Sequence, residues 1–144
     1  MIGEKLGHYR VAAKIGEGGM GVVYRARDEE LNRDVAVKVL AAPMLDQLGR
    51  DHLLREAQLA SALSHPNICT IYQLGRVDDG FYFVMELIEG QPLSEMARSA
   101  KLSTEAVTRY GVQIADALAH AHDRQIVHRD LKGANVIITH DGRV

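Results

Sequence analysis

Cysteine is almost missing from this chain. Cys69 stands alone among 144 residues, so no disulfide can close within it, and such usage fits a reducing compartment. An excess of charge is missing too. Seventeen Lys and Arg against 19 Asp and Glu leave a net −2, which gives no reason to expect nucleic acid or an anionic membrane as partner. No apolar run approaches the roughly 20 residues of a membrane span, and no signal peptide pattern opens the sequence. The expectation is a cytoplasmic segment, with membrane anchoring left to any longer parent protein. Internal repeats and low-complexity stretches are lacking as well. What remains is ordinary globular composition, 47% hydrophobic and 25% charged, in a length that fits one domain and buries about 70% of its unfolded surface.

The first half reads as strands. Tyr9 to Ile15, Gly21 to Arg27 and Asp34 to Leu40 are rich in Val, Ile and Tyr and are parted by glycine or polar turns. A helical stretch follows from about Asp46 to Leu63, with Leu53, Ala57, Ala60 and Leu63 at offsets of three and four. Pro66 cannot continue it. Ile68 to Leu74 and Phe81 to Leu87 are two more strands around the turn Asp78-Asp79-Gly80, and Cys69 reads as a buried residue of the first. After Glu89-Gly90-Gln91-Pro92 the pattern turns helical. Thr104 to His122 is a helix with Val107, Tyr110, Ile114, Leu118 and Ala121 on one face, Ser103 as N-cap and Glu105 in the first turn. Val136 to Thr139 is a short strand before the turn His140-Asp141-Gly142.

Three segments carry chemistry. In His128-Arg129-Asp130-Leu131-Lys132-Gly133-Ala134-Asn135 an acid, a cation and an amide stand at fixed offsets between apolar runs. That set can hold a terminal phosphate beside a hydroxyl and accept its proton. A solvated turn with a capping aspartate would explain any one of these residues alone. Gly16-Glu17-Gly18-Gly19-Met20-Gly21 removes side chains where backbone N–H groups would meet phosphate oxygens. A glycine-rich hairpin explains the same residues, and a dinucleotide-binding loop is a third reading. Val22-Val23-Tyr24-Arg25-Ala26 then alternates like a strand instead of opening a helix, and no G-K-[ST] ending follows. In Val35 to Leu40, strand alternation sets Ala36 and Lys38 on one face, roughly 6.5–7 Å apart, with Val35, Val37 and Val39 on the other. A solvated lysine is the bland reading of Lys38.

In this order and spacing the segments resemble the protein kinases, most of all the bacterial eukaryotic-type serine/threonine kinases, over Tyr9 to Val144. The resemblance implies an α+β, protein-kinase-like fold: a five-stranded antiparallel sheet lobe with one helix over residues 1–85, then a hinge and the start of a mainly helical lobe over 86–144. It implies ATP held by Ile15, Gly16, Gly18, Gly21, Val23 and Ala36, with Lys38 on the α/β phosphates and Glu56 as its partner. At ~4 Å and an effective dielectric of ~20 such a pair attracts by about 4 kcal/mol before desolvation is subtracted. Met85 would back the adenine, the backbone of Glu86 and Ile88 would bond it, and Ile137 would close the pocket from below. Asp130 would accept the substrate proton, Lys132 would balance γ-phosphate charge and Asn135 would ligate Mg²⁺. His128 reads as a brace for the backbone, and Arg129 as a clasp for a phosphorylated activation segment. Gly133 departs from the proline of many relatives and loosens the loop.

Two further motifs of that family, D-F-G and A-P-E, do not occur in the chain. The expectation is therefore part of a serine/threonine kinase domain, acting on protein Ser/Thr hydroxyls, that transfers no phosphate by itself. It would leave an apolar face of the Thr104–His122 helix uncovered and the edge beside Arg143-Val144 unpaired. The rival from another class is a non-catalytic nucleotide-binding or protein-interaction module. A nicotinamide-dependent oxidoreductase rests on the glycine loop alone. His120 and His122 fall on different helix faces with no Cys or carboxylate cluster to make a metal site of them.

Overall fold

Runs of Val, Ile and Tyr broken by glycine fold into strands, and the periodic apolar run near the end folds into a helix, as the computed structural model shows. It describes residues 1–144 except 19–20, 41–53, 56, 78–79 and 100. The chain divides into two compact units, Met1–Ala62 with Thr70–Leu87, and Leu63–Cys69 with Ile88–Val144.

In the first unit β1 (Lys5–Leu6), β2 (Tyr9–Gly18), β3 (Gly21–Asp28), β4 (Arg33–Leu40), β5 (Ile71–Val77) and β6 (Gly80–Glu86) form one antiparallel sheet in the order β1-β2-β3-β4-β6-β5. The sixth strand, β1, escapes a propensity reading because it is only two residues long. Gly7, at φ 61°, turns it back on β2. Alternation builds the core: Val11, Ala26, Val35, Val37, Tyr82 and Val84 are buried in one cluster, with Tyr24 and Val39 against it. Gly75 is required there. A Cβ on it would stand 2.1 Å from the Tyr82 ring that covers it.

The β3–β4 turn hangs on Asp28, which is wholly buried. Its Oδ1 accepts the N–H groups of Glu30 (3.1 Å) and Leu31 (2.9 Å), an Asx-type turn, and Asn32 follows at φ 51°. His8 and Arg33 each stand 3.6 Å from the carboxylate. Arg33 also lies 4.0 Å over the Tyr72 ring, a cation–π contact.

Helix α1 is seen over residues 54–55 and 57–61. Its expected start from Asp46, and Leu53, lie outside the described residues. Cys69 lies in the loop before β5, half-buried, and not in a strand. The reason is the turn at 65–68, closed by Ile68 N–H to His65 C=O at 3.1 Å, which delays the strand to Ile71.

In the second unit β7 (Gly90–Pro92) pairs antiparallel with β8 (Ile137–Thr139), Gly90 opposite Thr139. Between them run α2 (Leu93–Ser99), α3 (Thr104–His122) and a 3-10 turn at Gly133–Asn135. Ser103 caps α3, its Oγ accepting the Ala106 N–H at 3.1 Å, and Glu105 sits in the positive first turn. Tyr110, Val136 and Ile138 make the core here, with Leu93, Met96, Leu102 and Ile114 against them. Val107, although the helical period sets it on the same face as Tyr110 and Ile114, does not join that core and is 55% exposed near the start of α3.

Candidate active site

Strand register decides which side chains of the first unit share a surface. Val23, Lys38 and Phe83 lie opposite one another in successive strands, and so do Arg25, Ala36 and Met85. Directly opposed residues of a ladder point the same way, and residues two apart do too. One face of the sheet therefore carries Val23, Ala36, Lys38, Phe83 and Met85. The other carries the core valines Val35 and Val37. Ala36, small and 5% exposed, and Lys38, half-buried, sit two residues apart on the first face.

The glycines at the β2–β3 end differ in kind. Gly21 has φ +143°, and a Cβ on it would lie 2.2 Å from the Val39 carbonyl oxygen, so the fold itself demands glycine. Gly16 would meet only an ordinary contact, Val23 Cβ at 3.8 Å. Gly18, opposite Gly21 in the ladder, would meet nothing within 4 Å among the described residues. Packing thus explains Gly21 and leaves Gly16 and Gly18 unexplained. Bare backbone suits a ligand that must approach closely. Gly19 and Met20, between them, are outside the described residues, as is Glu56, the expected partner of Lys38. Beside this hairpin Lys14 pairs with Glu17. Ile15 is half exposed.

Glu86 closes β6. Its backbone N–H donates to the Thr70 carbonyl at 2.9 Å and its carboxylate accepts the Thr70 N–H at 3.4 Å, so this side chain braces the start of β5. Ile88 follows outside any strand, half-buried.

In the second unit the loop before β8 gathers its polar groups. The Asp130 carboxylate lies 3.2 Å from Lys132 Nζ. Asn135 Nδ2 donates to the Asp130 carbonyl at 2.8 Å and to its Oδ2 at 3.1 Å. The Asp130 N–H donates to His128 Nδ1 at 3.2 Å, so His128 does brace the backbone. Arg129 between them takes φ 63°. The Lys132 ammonium first, and the Asn135 amide second, hold the Asp130 carboxyl below the usual carboxylate range. Buried Val136 and Ile138 anchor the loop's end, and the Val136 carbonyl accepts the Leu93 N–H at 2.7 Å. Ile137, of opposite parity, is half-buried.

Gly133 does more than loosen this loop. A Cβ there would lie 3.1 Å from Ser94 N and 3.2 Å from Ser94 Cβ, so glycine lets the first turn of α2 sit against the loop.

A divalent cation such as Mg²⁺ takes oxygen ligands, commonly one or two carboxylates completed by phosphates and water. Among the described residues no group of three His, Cys, Asp or Glu side chains could hold one. Asn135 commits its nitrogen to Asp130, which leaves its Oδ1 as the oxygen of the right kind. Among the described residues the donor set fits a metal that a phosphate group shares and does not fit one held by protein alone.

The chain matches the model of the protein kinase domain over residues 9–144. It is 43% identical over 150 residues to the serine/threonine-protein kinase PrkC of Bacillus subtilis, covering all of this chain and 23% of that protein. Identity to the serine/threonine-protein kinase PknJ of Mycobacterium tuberculosis is 36% over 132 residues, 91% of this chain and 22% of the other. The crystal structure of the Mycobacterium tuberculosis PknI kinase domain is similar with a TM-score of 0.83 at 29% identity, across 99% of this chain and 60% of that one. The chain thus spans less than a quarter of the length of these two relatives.

Proposed function

The chain belongs to the protein kinase domain family, and on that premise we propose that it carries the nucleotide-holding and proton-accepting residues of a serine/threonine kinase acting on protein hydroxyls in the cytoplasm. The observation that carries this reading is the Asp130–Lys132–Asn135 cluster. A carboxylate kept ionised lies 3.2 Å from an ammonium, and an amide fixes its oxygen at 3.1 Å. The sheet lobe is proposed to end at Met85 and the hinge lobe to begin at Glu86.

Val23, Ala36 and Met85 share one sheet face that would offer adenine an apolar surface, and Ile137 keeps the adenine-closing role that the family implies. The backbone of Glu86 and Ile88 bonds the base. The bare backbone at Gly16 and Gly18, beside Ile15, leaves room for phosphate oxygens, with Gly21 shaping the turn and Lys38 placing a cation on the α/β phosphates. Glu56, outside the described residues, keeps the role of partner to Lys38 that the family implies. In the reaction a Ser or Thr hydroxyl oxygen bonds to the γ-phosphorus as the bond from that phosphorus to the β,γ-bridging oxygen breaks, and ADP leaves with the electron pair. Asp130 takes the hydroxyl proton and Lys132 offsets charge on the moving phosphoryl group. Mg²⁺, when bound through Asn135 and the phosphates, neutralises phosphate charge.

The test is calorimetric titration of the chain with ATP and Mg²⁺. We expect binding that Lys38→Ala weakens about tenfold or more, in line with loss of a charge-assisted contact. ATP binding equal in wild type and Lys38→Ala would sink the assignment. The chain lacks D-F-G, so on its own it is expected to incorporate no labelled phosphate into a protein substrate. A protein lengthened through D-F-G and the rest of the domain should do so, and Asp130→Asn in it should lose about 10²–10⁴-fold in rate. A non-catalytic module is the competing reading, favoured by Val107 and Val112 standing exposed on α3. ATP binding without transfer in the lengthened protein would select it.

A further inference from the structure

The polar groups at the end of the β8 hairpin are taken up by two amide side chains from distant parts of the second unit. Asn67, in the loop that follows α1, donates from Nδ2 to the Val144 carbonyl at 2.8 Å and to Gln113 Oε1 at 2.9 Å. Gln113, on α3, accepts the Val144 N–H at 2.9 Å and donates from Nε2 to the carbonyls of Gly142 at 3.2 Å and Arg109 at 3.3 Å. Val144 is therefore not an unpaired edge, contrary to the expectation from sequence: side chains satisfy both of its backbone groups. Both hydrogens of Asn67 Nδ2, both hydrogens of Gln113 Nε2 and two lone pairs of Gln113 Oε1 are used. This complete assignment fixes the orientation of each amide.

The Asn67 end is itself held. Its N–H donates to His65 Nδ1 at 3.0 Å, so that nitrogen is an acceptor and Nε2 carries the proton of the neutral ring, facing Asp116 Oδ2 at 2.9 Å. The far end leads into the candidate site. Gly142 and Arg143 close a turn on Thr139, the last residue of β8, and β8 begins two residues after Asn135. The 65–67 loop, α3 and the β8 hairpin thus form one hydrogen-bonded unit ending beside Asn135.

We infer that Asn67 and Gln113 are positioning residues for phosphoryl transfer: a two-amide clamp that fixes the β8 hairpin, and through it the placement of Asn135 against Asp130. The catalytic meaning rests on the kinase reading above, whereas the clamp itself does not. Networks whose members are all satisfied hold one geometry, and one lost donor leaves acceptors facing acceptors.

Asn67→Asp keeps the shape of the side chain and removes both donors. Its test is the ¹H–¹⁵N spectrum of the whole chain, followed at the Asn135 side-chain amide and at the backbone amides of Ile137 to Thr139. Ser103→Ala serves as control, because it weakens α3 at its cap without touching the clamp. We expect Asn67→Asp to shift the Asn135 side-chain pair and to speed exchange of the Ile137–Thr139 amides about tenfold or more. Ser103→Ala should leave the Asn135 pair in place. If Asn67→Asp unfolds the second unit, Gln113→Glu, which removes only the donors to Gly142 and Arg109, takes its place with the same expectation. An unmoved Asn135 pair in the folded variant, or an equal shift in Ser103→Ala, overturns the inference. None of these signals depends on nucleotide, so absence of ATP binding in wild type would strike the proposed function and leave the clamp standing.

Discussion

Asp130 is kept ready to accept a proton by two neighbours of different kinds, a charge at Lys132 and an amide at Asn135. Both favour the ionised form, so its midpoint in a carbon-detected NMR titration should lie below the ordinary aspartate value, with Lys132→Ala moving it upward because the first of the two causes is gone. The opposite movement, or none, would show that the 3.2 Å contact has no electrostatic consequence. Asp28 shows what residue-level reading misses. Its carboxylate is held below the usual range first by the Leu31 N–H, and also by His8, the Glu30 N–H and Arg33. A depressed carboxyl stabilises the fold above its unfolded value, and that stability is lost as pH falls through the folded one. Nothing local in Asp28-Glu29-Glu30 announces that the first of these is buried. The glycines give a sharper contrast. Gly21→Ala forces a Cβ onto a carbonyl at positive φ and should cost more than about 1 kcal/mol in a denaturation experiment. Gly18→Ala meets no described atom, so stability should change by less than about 0.5 kcal/mol while ATP affinity falls.

Among the elements, α3 was the most legible, because a strong period and its cap are local signals. Ser103 accepts the Ala106 N–H, and Ser103→Ala should cost about 1 kcal/mol by thermal or chemical unfolding. The outlook of Val107 was not legible, since period alone does not say how wide a stripe the neighbours cover. The strand parity of β4 was readable from alternation. The β1 strand and the late start of β5 depend on turn geometry that alternation does not encode. The same helix carries a pH response. Burial first, then the Arg124 guanidinium and His65, hold His120 below the ordinary histidine range, against a smaller pull from Asp116 and Asp123. The unfolded chain therefore takes up a proton near pH 6.5 that the folded chain resists. Stability should fall as pH drops through the ordinary histidine value, and the loss should level off below the folded one. Melting temperatures from pH 8 to pH 5 should show this slope in wild type and a shallower one in His120→Gln.

For the molecule as a whole, the protein-kinase-like architecture was legible because three motifs fall in one order along the chain. The long-range bonds were not: Asn67 and Val144 are 77 residues apart, and no pattern in the sequence announces an amide that crosses such a gap. That separation bears on how the protein is made. A ribosome delivers the chain from its amino end, so every strand of the large sheet has been synthesised by Leu87, before α3 exists. The second unit is in a different position. β7 emerges early and waits for β8, and the loop at 65–67 waits longer still, for Val144, 77 residues further on. Contacts of such separation form slowly. The nascent protein therefore passes through a stage in which a sheet able to pair trails a helix whose buried face is still open to solvent, and that interval is when a chaperone has most to protect.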